Sequence, residues 1–408
     1  MALVVQKYGG TSVGDVDRIR AVARRVADRR RSGDSVVVIV SAMGHTTDEL
    51  LAMARQVSDS PHPRALDMLL TAGERISMAL LEMAIRDQGI EALSLTGSQA
   101  GILTDMSHGQ ARIKDIRPFR VEEGLADGKV MIVAGFQGVN PDTKEITTLG
   151  RGGSDATAVA FAAALGADEC EILTDVAGVF TADPRLIPEA RKLDEISYEE
   201  MLELAASGAQ VLMGRSVEFG MRYSVPIHVR SSFDDGEGTW VKEMTMEQAL
   251  VSGVAHDTTL SKVTLRAVPD KPGVAAILFG ALAAAGVSVD TILQNQSSAG
   301  VADISFTVPR GEMATVRPVL DGVAAEISPT GVEVDDRVAK VSIVGAGMRS
   351  HPQVVADMFR ILGDAGINID MITTSSIRVS CLIDEDDAPK AVRLLHDAFQ
   401  PPTMGDAS

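Results

Sequence analysis

The stretch Lys7 to Asp15, KYGGTSVGD, follows the apolar run ALVVQ and precedes a basic segment with helical spacing. A glycine- and hydroxyl-rich turn between a strand and a helix brings backbone N–H groups and a helix N-terminus to one point, where an anion is favoured. A Walker loop needs four residues between its first glycine and Gly-Lys-Ser/Thr, and a dinucleotide loop needs GxGxxG; this stretch is neither. Two readings fit the residues. Either Gly9 and Gly10 admit a phosphate that Lys7, at the strand end, helps to neutralise, or the turn is merely tight and Lys7 is solvated.

Outward from this turn, short β-branched runs alternate with amphipathic segments up to about residue 245. Strands are expected at 2–7, 35–42, 92–96, 130–136, 169–175 and 226–232, and helices near 15–31, 46–57, 64–87, 154–166, 198–206 and 214–223. Such alternation predicts a largely parallel α/β sheet covered on both faces, with ligands at the carboxyl ends of its strands. The turns KYGGTS, SAMGHTT, TGSQAG, AGFQGVN and TDVAGVF all follow strand ends, so they should share one edge.

A net charge of −18 disfavours nucleic acid and anionic membranes, both of which call for basic surface. The longest run of small apolar residues, 156–167, is well short of the roughly 20 residues that span a bilayer. MALVVQ runs straight into the glycine turn with no signal peptide before it, and a cytoplasmic protein is expected. Cys170 and Cys381 lie far apart in apolar surroundings and read as buried free thiols. The seven histidines lack ligand spacing, and no GxSxG elbow or CxxC pair occurs. The turns therefore suit a reaction run by positioning and charge neutralisation, as phosphoryl transfer is.

Further turns carry candidates. GRGGSDATAVA (150–160) opens a helix; Arg151 offers a planar fork for carboxylate or phosphate, or is an exposed arginine beside a helix capped by Ser154. LLTAGERISMALLEMAI (69–85) is apolar nearly all round, so Glu74 needs a partner, either an arginine such as Arg75 or a ligand ammonium. TDVAGVFTADPRLIP (174–188) supplies Thr174, Asp175, Phe180, Asp183 and Arg185.

The segment 231–245 is acidic and glycine-bearing and reads as a linker, after which the chain repeats itself. PGVAAILFGALAAAGVSVDTILQN (272–295) matches PQVVADMFRILGDAGINIDMITTS (352–375) with an offset of 80. The first unit reads β (260–268), α (272–285), β (287–295), β (301–308), α (311–324), β (331–335); the second, β (338–344), α (352–365), β (367–375), β (377–383), α (386–399), lacks its final strand, and 249–257 is expected to fill that sheet edge.

KYGGTSVGD, SAMGHTTDELL, TAGERISMALL, AGFQGV, GRGGSDATA and LTDVAGVFTADPR, in this order and followed by paired repeats, resemble the aspartokinase family. The resemblance covers essentially the whole chain. It implies an amino acid kinase fold over 1–245, then two ferredoxin-like βαββαβ ACT domains at 258–336 and 337–408, the latter completed by a strand from 249–257. It also implies ATP-dependent phosphorylation of the side-chain carboxylate of L-aspartate to 4-phospho-L-aspartate, the first step towards lysine, threonine, methionine and diaminopimelate. An aspartate side chain, with a pKa of about 3.9, is already an anionic nucleophile at neutral pH. What it needs is relief from repulsion by the triphosphate.

Residue by residue, the family motifs put Lys7, Gly9, Gly10 and Ser41 around the phosphates, with no protein-held metal and Mg²⁺ carried by the nucleotide. Thr174, Asp175, Phe180, Asp183, Arg185 and Gln210 would line the nucleotide. Thr47, Glu74, Arg151 and Ser154 would hold aspartate, Arg151 on its α-carboxylate and Glu74 near its ammonium; Asp155 is a weaker candidate. Phe180 stands where many relatives have tyrosine, Ala156 where threonine is common, Gln210 where a second lysine is common and Ser376 where glutamate is often seen. Lysine, threonine or both would bind the ACT units at Asp270, Gly273, Val274, Ala275, Ser288, Val289, Asp290, Gln294, Asn368, Ile369 and Ser375. A homodimer is implied, or an α2β2 assembly whose smaller subunit starts at Met244 or Met246. Competing readings are a sister kinase acting on glutamate, N-acetylglutamate or a carbamate, and an amino-acid sensor whose kinase half has lost activity.

Overall fold

β-Branched runs form strands because their stiff side chains suit a sheet packed on both faces. In the computed structural model, which describes residues 2–244, 249–296 and 300–399, the chain makes two compact units. The first takes in Met1–Phe180, Arg191–Ala205 and Gln210–Met246; the second takes in Thr181–Ala190, Ala206–Ala209 and Glu247–Ser408.

The first unit runs β1 (Leu3–Tyr8), α1 (Val16–Arg31), β2 (Ser35–Val40), α2 (Thr46–Val57), α3 (Pro63–Arg86), β3 (Ala92–Leu95), β4 (Ile102–Thr104) and β5 (Ile113–Ile116). It continues through α4 (Phe119–Ala126), β6 (Val130–Ala134), β7 (Gln137–Val139), β8 (Ile146–Thr148), α5 (Gly153–Leu165) and β9 (Glu169–Thr174). Its last elements are β10 (Glu195–Ser197), α6 (Tyr198–Ala206), α7 (Gly214–Tyr223), β11 (Ile227–Ser231) and β12 (Thr239–Lys242). The main sheet has the order β10-β12-β11-β9-β1-β2-β6-β3 and is parallel from β11 to β3.

Val36, Val38 and Val40 of β2 pack with Ile19, Val22 and Val26 of α1 and Leu81 and Ile85 of α3. Tyr8 joins that cluster while its neighbour Lys7 meets Asp155 of α5, so α5 covers the opposite face, as strand alternation requires. Nearly every side chain of α5 over its first ten residues is buried.

The expected helices of the first unit begin and end within a residue or two of the sequence reading. Several features differ; α4 and β10 have no counterpart among the expected elements. The linker expected at 231–245 contains β12, which lies between β10 and β11 because Thr239 and Val241 turn inward. The turns TGSQAG and AGFQGVN open into a second sheet, β5-β4-β7-β8, whose strands are three or four residues long and carry little periodic signal. In the repeats, the strands expected from 287 and 367 begin at Ile292 and Met371.

The second unit holds β13 (Gly253–Asp257), β14 (Leu260–Pro269), α8 (Val274–Ala284), β15 (Ile292–Gln296), β16 (Val301–Pro309), α9 (Met313–Ile327) and β17 (Gly331–Asp335). These are followed by β18 (Val338–Val344), α10 (Gln353–Asp364), β19 (Met371–Thr374), β20 (Arg378–Asp384) and α11 (Ala388–Phe399). The two antiparallel sheets have the orders β15-β16-β14-β17 and β13-β18-β20-β19. β13 therefore borders β18 as β17 borders β14. Among the described residues, no helix is long and apolar enough to cross a membrane.

Candidate active site

The glycine turn is built into the sheet edge. Gly9 N–H donates to the Leu173 carbonyl at 3.2 Å, extending the β1–β9 ladder, and Gly44 N–H donates to the Gly10 carbonyl at 3.0 Å. A Cβ at Gly10 would stand 3.0 Å from the Ala42 carbonyl oxygen and 3.1 Å from that of Gly44, so the turns after β1 and β2 touch only because this residue has no side chain. Lys7 projects beneath them, and its Nζ lies 2.6 Å from Asp155 Oδ1 with both side chains about nine-tenths buried. A buried ammonium is tolerable because the carboxylate offsets its desolvation.

Asp155 and Ser154 open α5, whose N-terminal dipole points at the same edge. Gly152 caps this helix at φ 66°, where a Cβ would fall 2.0 Å from Met213 Cγ, so glycine is required twice over. Ser154 Oγ packs against Gly135, in the turn after β6.

Glu74, in the middle of α3, is 3% exposed. The Ala42 N–H donates to its Oε1 at 3.1 Å, while Oε2 has no hydrogen-bond partner. No ion pair joins it to an arginine among the described residues, Arg75 included. Burial pushes its carboxyl up to about 7 against the pull of the Ala42 amide. A buried carboxylate oxygen without a donor is costly and rare.

The other predicted residues are placed as follows. Ser41 N–H donates to the Tyr8 carbonyl, and the Ser41 carbonyl accepts from Ser77 Oγ at 2.6 Å, so this turn is also tied to α3. Thr47 is half-buried in the first turn of α2, and Arg151 is exposed. Thr174 Oγ1 donates to Asp175 Oδ1 at 3.0 Å. Phe180 is half-buried and bridges to Lys192 through the backbone. Gln210 is exposed.

Asp183 and Arg185 lie in Thr181–Ala190, the stretch after Phe180 that belongs to the second unit. Ala182 and Ile187 sink into that unit's apolar cluster, and the Thr181 carbonyl accepts from Val254 N–H. Arg185 folds back on Asp183 at 2.8 Å, which holds the Asp183 carboxyl below its ordinary range.

Comparison with known proteins reads the same way. Residues 2–231 match the amino acid kinase family, and 266–321 and 341–399 match an ACT domain. An aspartokinase of Mycolicibacterium smegmatis is 56% identical over 405 residues, covering 98% of this chain and 96% of that protein. The chain belongs to the aspartokinase family.

Among solved structures, E. coli aspartokinase III in complex with aspartate and ADP is 27% identical with a TM-score of 0.84, covering 98% of this chain and 100% of that one. The same enzyme in complex with lysine and aspartate aligns with a TM-score of 0.74 at 27% identity, over 97% and 99% of the two chains.

In this chain the expected effector residues fall in the two ACT repeats, several of them next to β15 and β19, an edge strand of each sheet. Asp270 follows β14; Gly273, at φ 99°, caps α8, and Val274 and Ala275 begin it. Ser288, Val289 and Asp290 precede β15, which contains Gln294; Asn368 and Ile369 precede β19, and Ser375 follows it. Asp290, one of the expected effector residues, is paired within the chain: Lys340 Nζ lies 2.5 Å from its Oδ2 and also donates to the Ala206 carbonyl at 2.8 Å. Met246 lies outside the described residues. Sequence reasoning missed Asp67, fully buried and seven residues before Glu74 on α3. Its signal was a second carboxylate on the apolar face, two helical turns away.

Proposed function

We propose that this chain transfers the γ-phosphoryl group of ATP to the side-chain carboxylate of L-aspartate, giving 4-phospho-L-aspartate and ADP. The observation that carries the reading is the Lys7 amine, held by Asp155 at 2.6 Å under the glycine turn. The aspartate oxygen forms a bond to the γ-phosphorus as the bond to the β-bridging oxygen breaks, and no proton need leave the nucleophile. The protein's work is charge management. Lys7, the N–H groups about Gly9 and Gly10, and the α5 dipole spread the charge of the transferring group.

Ser41 completes the phosphate surround, and Thr174, Asp175, Phe180 and Gln210 serve the nucleotide; Asp183 and Arg185 join them on the family motif alone. Thr47, Arg151 and Ser154 hold aspartate, whose ammonium goes to Glu74 Oε2. Magnesium keeps several waters and takes phosphate oxygens. That suits a site whose buried carboxylates are already committed to a lysine and an amide, so the ion would travel on the nucleotide and lower its charge.

The ACT units are read as binding lysine, threonine or both along their edge strands, with 1–245, 258–336 and 337–408 as domains and β13 completing the last. The pairing of β13 with β18 supports this division. A cytoplasmic homodimer, or an α2β2 assembly with a regulatory subunit begun at Met244 or Met246, goes with the reading.

ADP release measured with aspartate, glutamate and N-acetylglutamate, with and without lysine and threonine, tests it. Turnover is expected with aspartate alone, and Lys7→Ala should lower kcat about 100-fold or more. Turnover of another acceptor in preference to aspartate, or full activity in Lys7→Ala, would overturn it.

A further inference from the structure

Asp67 is a buried carboxylate with three donors about it. Thr148 Oγ1 donates to its Oδ1 at 2.6 Å, Gly109 N–H to the same oxygen at 3.1 Å, and His108 Nδ1 lies 2.5 Å from Oδ2. Its own helix, α3, carries Glu74 two turns further on, about 10 Å along the axis and on the same face. Its partners come from the turn before β5 and from β8. Thr148 ends β8, and three residues later comes Arg151.

The intervening chain is stitched in place. Ala111 N–H donates to the Thr148 carbonyl, Leu149 N–H to the Phe136 carbonyl and Gly153 N–H to the Gly150 carbonyl. The Arg215 guanidinium spans the Leu149 and Ala111 carbonyls at 3.1 and 3.0 Å. The Gly109 carbonyl closes on Gly150 so tightly that a Cβ there would be 2.9 Å away.

We propose that Asp67 is a positioning residue for the phosphoryl acceptor, tying the Arg151 turn to the helix that bears Glu74. An α-amino acid holds its ammonium and carboxylate on one carbon, so the groups that grip them must keep a fixed spacing. Asp67 spans from α3 to the end of β8 and sets that spacing; its own bonds go to His108, Gly109 and Thr148, none of which lies in the turns after β1 and β2. The inference rests on the assignment of Glu74 and Arg151 to the amino acid's α-groups.

The test is steady-state kinetics on the full chain with aspartate and ATP varied separately. Asp67→Leu removes every acceptor at similar volume and should raise the KM for aspartate about tenfold or more while that for ATP moves less than about twofold. Asp67→Asn keeps an oxygen for Thr148 and Gly109 and should recover most of the loss. In an Arg151→Ala background, Asp67→Leu should add little, since the turn it positions then has nothing to present.

Equal rises in both KM values, no rescue by asparagine, or effects that multiply in the double variant would overturn the proposal. If Asp67→Leu does not fold, Thr148→Val carries the test: a selective rise of about threefold in the aspartate KM is expected, and none refutes it. If Arg151→Ala and Glu74→Gln themselves leave the aspartate KM unchanged, the underlying site assignment is what fails.

Discussion

Glu74 joins a cost in stability to its proposed role in holding the substrate ammonium. Its carboxyl is raised to about 7 from an ordinary 4.5, so between those values the folded chain holds a proton that the unfolded chain has lost. Stability therefore falls as pH rises through that window, by up to about 3 kcal/mol once the group is ionised. Glu74→Gln should leave the melting temperature unchanged at pH 4.5 and raise it at pH 8. Binding runs the other way: an ammonium needs the carboxylate, so the KM for aspartate should climb as pH falls below about 7, and Glu74→Gln should flatten that dependence. Initial rates from pH 5.5 to 8.5 check the second effect and thermal melts the first. At this scale the sequence named Lys7 and Glu74, because a lysine beside two glycines and a carboxylate in an apolar helix are visible locally. The partner of Lys7, 148 positions along the chain, was only a weak candidate, and Asp67 was not seen at all, since a buried ion pair is made by elements that meet in space.

Strands and helices repeat this lesson with a different reason for each miss. The valine-rich β2 and the amphipathic α1 and α3 announce themselves by period; β12 does not, because a short strand in an acidic, glycine-bearing stretch has too few residues to show one. In the ACT pair the repeat was plain in sequence, but its electrostatics was not. Lys262 and Lys340, each third in the first strand of its repeat, reach across to the other repeat: Lys262 to Asp370 and Lys340 to Asp290, both at 2.5 Å. Leu260, Val338, Met371 and Leu382 pack beside this exchange. The pairs are not equivalent, since the Lys340 side chain is only 4% exposed and that of Lys262 is 21%. Asp290→Ala should cost about 1–3 kcal/mol by leaving a buried ammonium short of a hydrogen-bond partner, the Ala206 carbonyl being kept. Lys262→Ala should cost under about 1 kcal/mol. Urea denaturation of the two variants reads the difference.

The molecule as a whole does not divide where a cut along the sequence would divide it. Thr181–Ala190 and Ala206–Ala209 leave the kinase half to join the second unit, where Ile187 is fully buried beside Val254, Met358 and Leu395. Ile187→Ala should therefore destabilise that unit by about 2–4 kcal/mol. Hydrogen exchange should quicken in β18 and α11 while β1 and β2 keep their protection; the reverse pattern would contradict the assignment. The amino-acid order by itself determined the parallel α/β sheet, the glycine turn at its edge and the duplicated C-terminal half. Each of these is a pattern of neighbours, in which period, turn chemistry or repetition is complete within a few dozen residues. Only the tertiary structure decided that Asp155 holds Lys7, that Asp67 binds β8 to α3, that the two repeats exchange lysines, and to which unit Ile187 belongs. Those outcomes depend on which faces are buried together, because the energy of a buried charge or methyl group is set by what surrounds it in space rather than by what precedes it in the chain.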